Sequence, residues 1–117
     1  MLSISKNNKI YLAVEAIDFR RGIDALSALC RQQFNADPFS GHYFIFRNRK
    51  GSAIKILVYD VQGFFLCHKR LSKGIFSHWP QSPSASVILS APQLQVLLQN
   101  GDPAVVHTEA PWRLEDV

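Results

Sequence analysis

Between residues 42 and 71 the chain passes through three stretches rich in β-branched and aromatic residues: His42 to Asn48, Ala53 to Tyr59 and Phe64 to Leu71. Only Arg49-Lys50-Gly51-Ser52 and Asp60-Val61-Gln62-Gly63 separate them, and each break holds a glycine able to take a positive φ. Breaks of this length join antiparallel neighbours, so the run predicts a three-stranded β-meander. Four-residue loops set Asn48 opposite Ala53 and Tyr59 opposite Phe64, and strand alternation then sorts the side chains onto two faces. One face carries Tyr43, Ile45, Ile54, Ile56, Val58, Phe65, Cys67 and Leu71, nearly all apolar, and is expected to be core. The other carries Phe44, Phe46, Lys55, Leu57, Tyr59, Phe64, Leu66, His68 and Arg70. Such a mixture of aromatics and cations suits either a nucleic-acid platform or a face covered by a second layer with the cations at its rim.

Around the meander the chain is short of alternatives. Its 117 residues suit one domain, which buries about two-thirds of its unfolded surface. Lys9 to Glu15 reads as a strand that joins the sheet, with Ile10, Leu12 and Val14 alternating with Tyr11, Ala13 and Glu15. A helix is expected from Phe19 to Phe34, with Asp18 as N-cap, Ile23, Leu26, Leu29, Cys30 and Phe34 as its apolar stripe, and Asn35 as its stop. That helix is expected to pack across the apolar face of the sheet. Ser86 to Leu89 is a short strand candidate, and Ser90-Ala91-Pro92-Gln93 is a capping box opening a helix to about Gln99. The fold class is therefore α+β: an antiparallel meander sheet, one amphipathic helix across it and a short C-terminal helix. Residues 1–101 make the domain, and residues 102–117 make an acidic, flexible tail with Trp112 as its candidate anchor.

The longest apolar runs are strand-length and the N-terminus lacks a continuous apolar segment, so neither a membrane span nor a signal peptide is expected. The expected location is cytoplasmic, where Cys30 and Cys67 would remain reduced thiols. No catalytic signature emerges. His42, His68, His78 and His107 lie far apart, no Cys or His pair has metal-finger spacing, and there is no nucleophile elbow or phosphate-binding loop. Asp18, Asp24 and Asp60 could compose a magnesium site, but each has a simpler role as cap, outer helix face or turn residue. No enzyme activity, metal or cofactor is expected.

Charge is distributed unevenly. Residues 1–80 carry 12 Lys and Arg against five Asp and Glu, whereas residues 81–117 carry one against four. A basic body favours a polyanionic partner. Arg47, Arg49 and Lys50 surround the first hairpin tip, and Lys69, Arg70 and Lys73 close the third strand at the same edge of the sheet. Arg20 and Arg21 fall in the first turn of the first helix, where the helix dipole disfavours cations unless an anion accompanies them. These eight residues are the candidate DNA contacts, against the plainer reading of a solvated rim. Phe44, Phe46, Tyr59 and Phe64 are the candidate protein-docking patch.

DFRRGIDALSAL, DPFSGHYFIFRNRKG, KILVYD, GFFLCHKRL and KGIFSHWP, in this order and spacing, resemble the second-reading-frame accessory proteins of the insertion-sequence-sixty-six family. The resemblance covers Ile10 to Pro80 closely and the helix after Ser90 loosely. It implies a small non-catalytic protein, encoded beside a larger DDE-type transposase and needed, with another small partner, for efficient transposition of a bacterial insertion sequence. Two partner readings stand beside it: DNA, at the element ends or non-specifically, through the basic residues, or the DDE-type transposase of the same element or a second copy of the chain, as a homo-oligomer, through the aromatic patch.

Overall fold

In the computed structural model, which describes residues 7–106, the meander forms in the expected register. Strands β2 (Tyr43–Arg47), β3 (Ala53–Tyr59) and β4 (Phe64–Arg70) are consecutive antiparallel neighbours. Tyr59 faces Phe64, Ala53 faces Arg70, and the Asn48 N–H donates to the Ala53 carbonyl at 3.2 Å. Strand β1 (Ile10–Ala13) joins beside β2 and runs parallel to it. A parallel pair needs a crossover, and helix α1 (Ile23–Phe34) supplies it. Strand β5 (Ser86–Leu89) then pairs antiparallel on the other side of β1, completing a mixed sheet in the order β4-β3-β2-β1-β5. Helix α2 (Ala91–Leu98) follows at once. Ser90 Oγ accepts from the Gln93 N–H while Gln93 Oε1 accepts from the Ser90 N–H, the expected capping box.

Both faces of the sheet are covered, and the helices divide them in a way the sequence reading had not anticipated. Helix α1 lies on the mixed face, not the apolar one. Its Leu26, Leu29, Cys30 and Phe34 pack with Ala13, Phe44, Phe46 and Leu57 in one core cluster. The apolar face is closed by Leu94 and Leu97 of α2 together with Phe76 and Trp79 from the connection after β4. The mixed face accepts a helix because its cations stand only where they can be satisfied. Lys55 is hydrogen-bonded within the layer and Arg70 is exposed at the rim, so the aromatic middle is free to be buried.

The start of α1 also differs from expectation. The helix begins at Ile23, with Gly22 as an N-cap that has no side-chain cap bond, so Arg20 and Arg21 precede the helix rather than form its first turn. Asp18 does not cap it. Its carboxylate instead accepts from the Arg20 N–H and guanidinium. At the other end Asn35 takes the left-handed conformation (φ 50°) and the Ala36 N–H returns to the Cys30 carbonyl at 3.2 Å, the expected stop. Past residue 101 the chain makes one further turn, Pro103–Val105, with Pro103 buried. Residues 107–117, which hold Trp112, His107 and most of the expected acidic tail, lie outside the described residues.

Candidate nucleic-acid interface

The basic end of the sheet is built by two loops held against each other. The first is the β2–β3 turn. The Gly51 N–H donates to the Asn48 carbonyl at 3.0 Å, which leaves Arg49 and Lys50 at the outer positions of the turn. Asn48 Oδ1 accepts from the Ser52 and Ala53 N–H groups at 2.9 and 3.1 Å, tying the tip from inside. Gly51 has a φ of +73°, which a side chain would strain.

The second loop is 17–21. Ile17 bridges to Asn48, and its N–H donates to the Arg47 carbonyl at 2.9 Å. Lys55, a buried cation from the middle of β3, then holds the loop from below. Its Nζ donates to the Phe19 carbonyl at 2.8 Å and the Arg21 carbonyl at 3.3 Å, and lies 4.8 Å from the centre of the Phe19 ring. His68 on β4 packs edge-on against the same ring at 5.7 Å.

Between the loops lies a cleft of about 510 Å³. Arg20, Arg49, Lys50, Arg70 and His68 line it, with Phe19, Ile17 and Ala53 as its apolar part and Asp18 as its carboxylate. Asp18 is spoken for: Arg20 binds it through two guanidinium nitrogens, with Nη2 at 2.7 Å. The hydrogen bonds from Arg20, reinforced by the charge of Arg49, hold the Asp18 carboxyl well below the usual carboxylate range. The pair neutralises itself, while Arg49, Lys50 and Arg70 make no hydrogen bond or ion pair among the described residues. The cleft is therefore positively charged at neutral pH.

Of the eight candidate cations, four line this cleft: Arg20, Arg49, Lys50 and Arg70. Arg21 and Lys73 are exposed outside it. Arg47 and Lys69 are turned elsewhere. Arg47 donates from Nη2 to the Val14 carbonyl at 3.3 Å and lies 5.5 Å over the Trp79 ring, and its burial lowers its pKa. Lys69 donates to the Leu98 carbonyl at the C-terminal end of α2, where a cation is favoured. The division follows strand parity: Arg70 and His68 share the α1 face with Ala53, whereas Arg47 and Lys69 point the other way. The sequence reading did not count Phe19, Asn48, Ser52 or Asp18 as site residues. The parallel bridge from Ile17 to Asn48, which brings them together, left no mark in local pattern.

The candidate docking patch is corrected. Phe44 and Phe46 are 0% exposed beneath α1 and reach no surface. Tyr59 and Phe64 are half-buried and form a cluster with Phe39, at ring separations of 5.0 to 5.3 Å, at the opposite end of the sheet. No group of three or more His, Cys, Asp or Glu able to hold a metal exists among the described residues. Among them, too, no helix is long and apolar enough to cross a membrane.

Fold and site together define a three-layer α+β domain whose distinctive surface is a basic cleft at one end of its sheet. The chain belongs to the IS66 Orf2-like family, whose model matches residues 8–108. Two proteins of Sinorhizobium fredii are similar to it, both described as uncharacterized. The protein y4hO is 33% identical over 113 residues, covering 97% of this chain and 96% of the relative. The protein y4jC is 33% identical over 85 residues, 73% of each chain. No solved structure matches. The family is an accessory rather than a catalytic one, and membership associates this chain with the transposition of an insertion sequence.

Proposed function

We propose that this transposition-associated protein contacts DNA, and that the cleft between residues 17–21 and 48–53 takes the phosphate backbone. The observation that carries the proposal is the convergence of Arg20, Arg49, Lys50 and Arg70 on one concavity with a single, already paired carboxylate. Solvation alone asks only that charges face water; it does not ask that two loops be tied together so that four cations line one concavity. Phosphate contacts position a protein on DNA, and any preference for particular ends comes from shape or from few base contacts.

The test is binding of the purified protein to duplex DNA across a salt series, comparing the element-end sequence with a scrambled duplex. Four phosphate contacts give a log–log slope of about −3 to −4. Tighter binding to the end sequence makes the protein a recognition subunit, and equal binding makes it a backbone clamp addressed by its partner. Absence of binding at low salt overturns the proposal.

The second reading, a docking module for the transposase, keeps one observation in its favour. Phe39 is 52% and Val61 92% exposed at the tip beside the Tyr59–Phe64 pair, and the outer side of the Phe39 ring, which packs inward on those two rings, faces solvent. Replacing Phe39 and Val61 with Asp should abolish transposase capture under this reading and leave DNA binding intact.

A further inference from the structure

Among the described residues strand β4 is a sheet edge: it pairs with β3 on one side, and no described strand lies on the other. The Leu71 N–H donates to the Ser52 carbonyl, and the Gly63 carbonyl accepts from the Asp60 N–H, so odd-numbered residues from 63 to 71 direct their backbone groups toward β3. Phe64, Leu66, His68 and Arg70 therefore present N–H and C=O groups outward. A seven-residue edge of this kind is a template for another strand unless something blocks it.

The side chains along β4 divide at its centre. Phe64, Phe65 and Leu66 lead to Cys67, and His68, Lys69 and Arg70 follow it. Charged residues normally deter edge pairing, and here they deter one arrangement only. A second β4 laid parallel sets cations beside cations. Laid antiparallel about a two-fold axis at Cys67, it sets Arg70 opposite Phe64, Lys69 opposite Phe65 and His68 opposite Leu66, so the two cations meet aromatic rings and His68 an apolar neighbour. This register also matches every outward-facing residue of one strand with one of the other, as an isologous interface requires.

We propose that the partner of the β4 edge is a second copy of this chain, joined antiparallel about Cys67 into one continuous sheet with a basic cleft toward each end. The inference rests on edge geometry and strand order, and stands whether or not the clefts take DNA.

The two-fold placement makes a chemical forecast. Cys67 directs its backbone groups toward β3, so Cys67 and its symmetry mate form a non-hydrogen-bonded pair, with Cα atoms about 4.5 Å apart. That separation lies within disulfide range. Cys30 is fully buried in the α1 core and cannot compete.

The experiment combines sedimentation of the full reduced chain over a concentration series with mild oxidation. The expected result is a monomer–dimer equilibrium, with a covalent dimer on oxidation that C30S retains and C67S loses. Phe65, 46% exposed, tests the register. F65K sets like charges opposite each other at two symmetric positions and should raise the dimer dissociation constant about tenfold. Adding K69E, which restores a complementary pair across the axis, should recover it. A chain that stays monomeric at every concentration overturns the proposal. So does a dimer that ignores F65K and does not crosslink through Cys67.

Discussion

The two turns of the meander share a length and a kind of tie, differ in backbone (Gly51 takes φ +73°, whereas Gly63, against expectation, has no positive φ) and present opposite chemistry. Each is four residues long and is tied by a side-chain amide or carboxylate oxygen accepting two backbone N–H groups: Asn48 for Ser52 and Ala53, Asp60 for Gln62 and Gly63. Yet the first tip carries Arg49 and Lys50 beside a cleft with Arg20 and Arg70, whereas the second carries Val61 beside the rings of Phe39, Tyr59 and Phe64. What ties each hairpin is the side-chain oxygen of one residue, which leaves the outer positions free to be specialised. The same sheet thus offers a charged surface at one end and an apolar one at the other, about seven residues of β3 apart.

The contrast extends to how the ends are supported. At the aromatic end three rings pack on one another at the surface. At the basic end the 17–21 loop depends on Lys55, a cation that reaches it from 36 residues away in sequence. Removing a buried donor from its acceptors is costly because the carbonyls are left without a partner.

The largest expected effect distinguishes buried rings from exposed ones. Phe44→Ala should destabilise the protein by about 3–5 kcal/mol, while Phe39→Ala, at the surface, should cost no more than about 0.5 kcal/mol. Urea unfolding of both variants checks this, and equal costs would mean that α1 does not cover the mixed face. Next in size, Lys55→Met should cost about 2 kcal/mol by freeing the Phe19 and Arg21 carbonyls, and should weaken DNA binding although Lys55 touches no ligand. Unfolding and binding measured on that variant separate the two consequences.

Charge reversal at Arg49 and Lys50 should move stability by no more than about 0.5 kcal/mol. In a salt series it should lower the DNA-binding slope by about 2. The smallest effect concerns His42, which anchors the start of β2 by accepting the Lys9 N–H on Nδ1 at 3.0 Å. Burial, and secondarily the charge of Lys9, lowers its pKa. The unfolded chain therefore takes up the proton first, so this contribution is present above the ordinary imidazole value of 6.5 and is lost as pH falls below it. Stability should decline slightly over that interval in the wild type, and less in His42→Gln.

The meander, its register, β5 and the capping box of α2 were legible because each is written in neighbouring residues: alternation, turn composition and Ser-x-x-Gln spacing. The face chosen by α1 was not. Both faces carry enough apolar area to receive a helix, and the choice depends on non-local features: β1 and β2 are parallel, so α1 is a crossover whose handedness preference favours one face, and Lys55 on that face finds acceptors in the 17–21 loop. The same contact explains the later helix start, because the carbonyls that Lys55 holds belong to the residues expected to begin the helix. For the cleft, strand parity already separates Arg70 from Arg47 and Lys69, but nothing local announces that the 17–21 loop comes to lie beside the Asn48 turn.

The two ends of the sheet differ in chemistry, and hydrogen–deuterium exchange of the protein with and without duplex DNA reads both at once. Added protection is expected at residues 17–21 and 48–53 and none at 59–64. Protection confined to 59–64, or exchange unchanged at both ends under conditions where DNA is bound, would contradict the proposal that the cleft takes DNA.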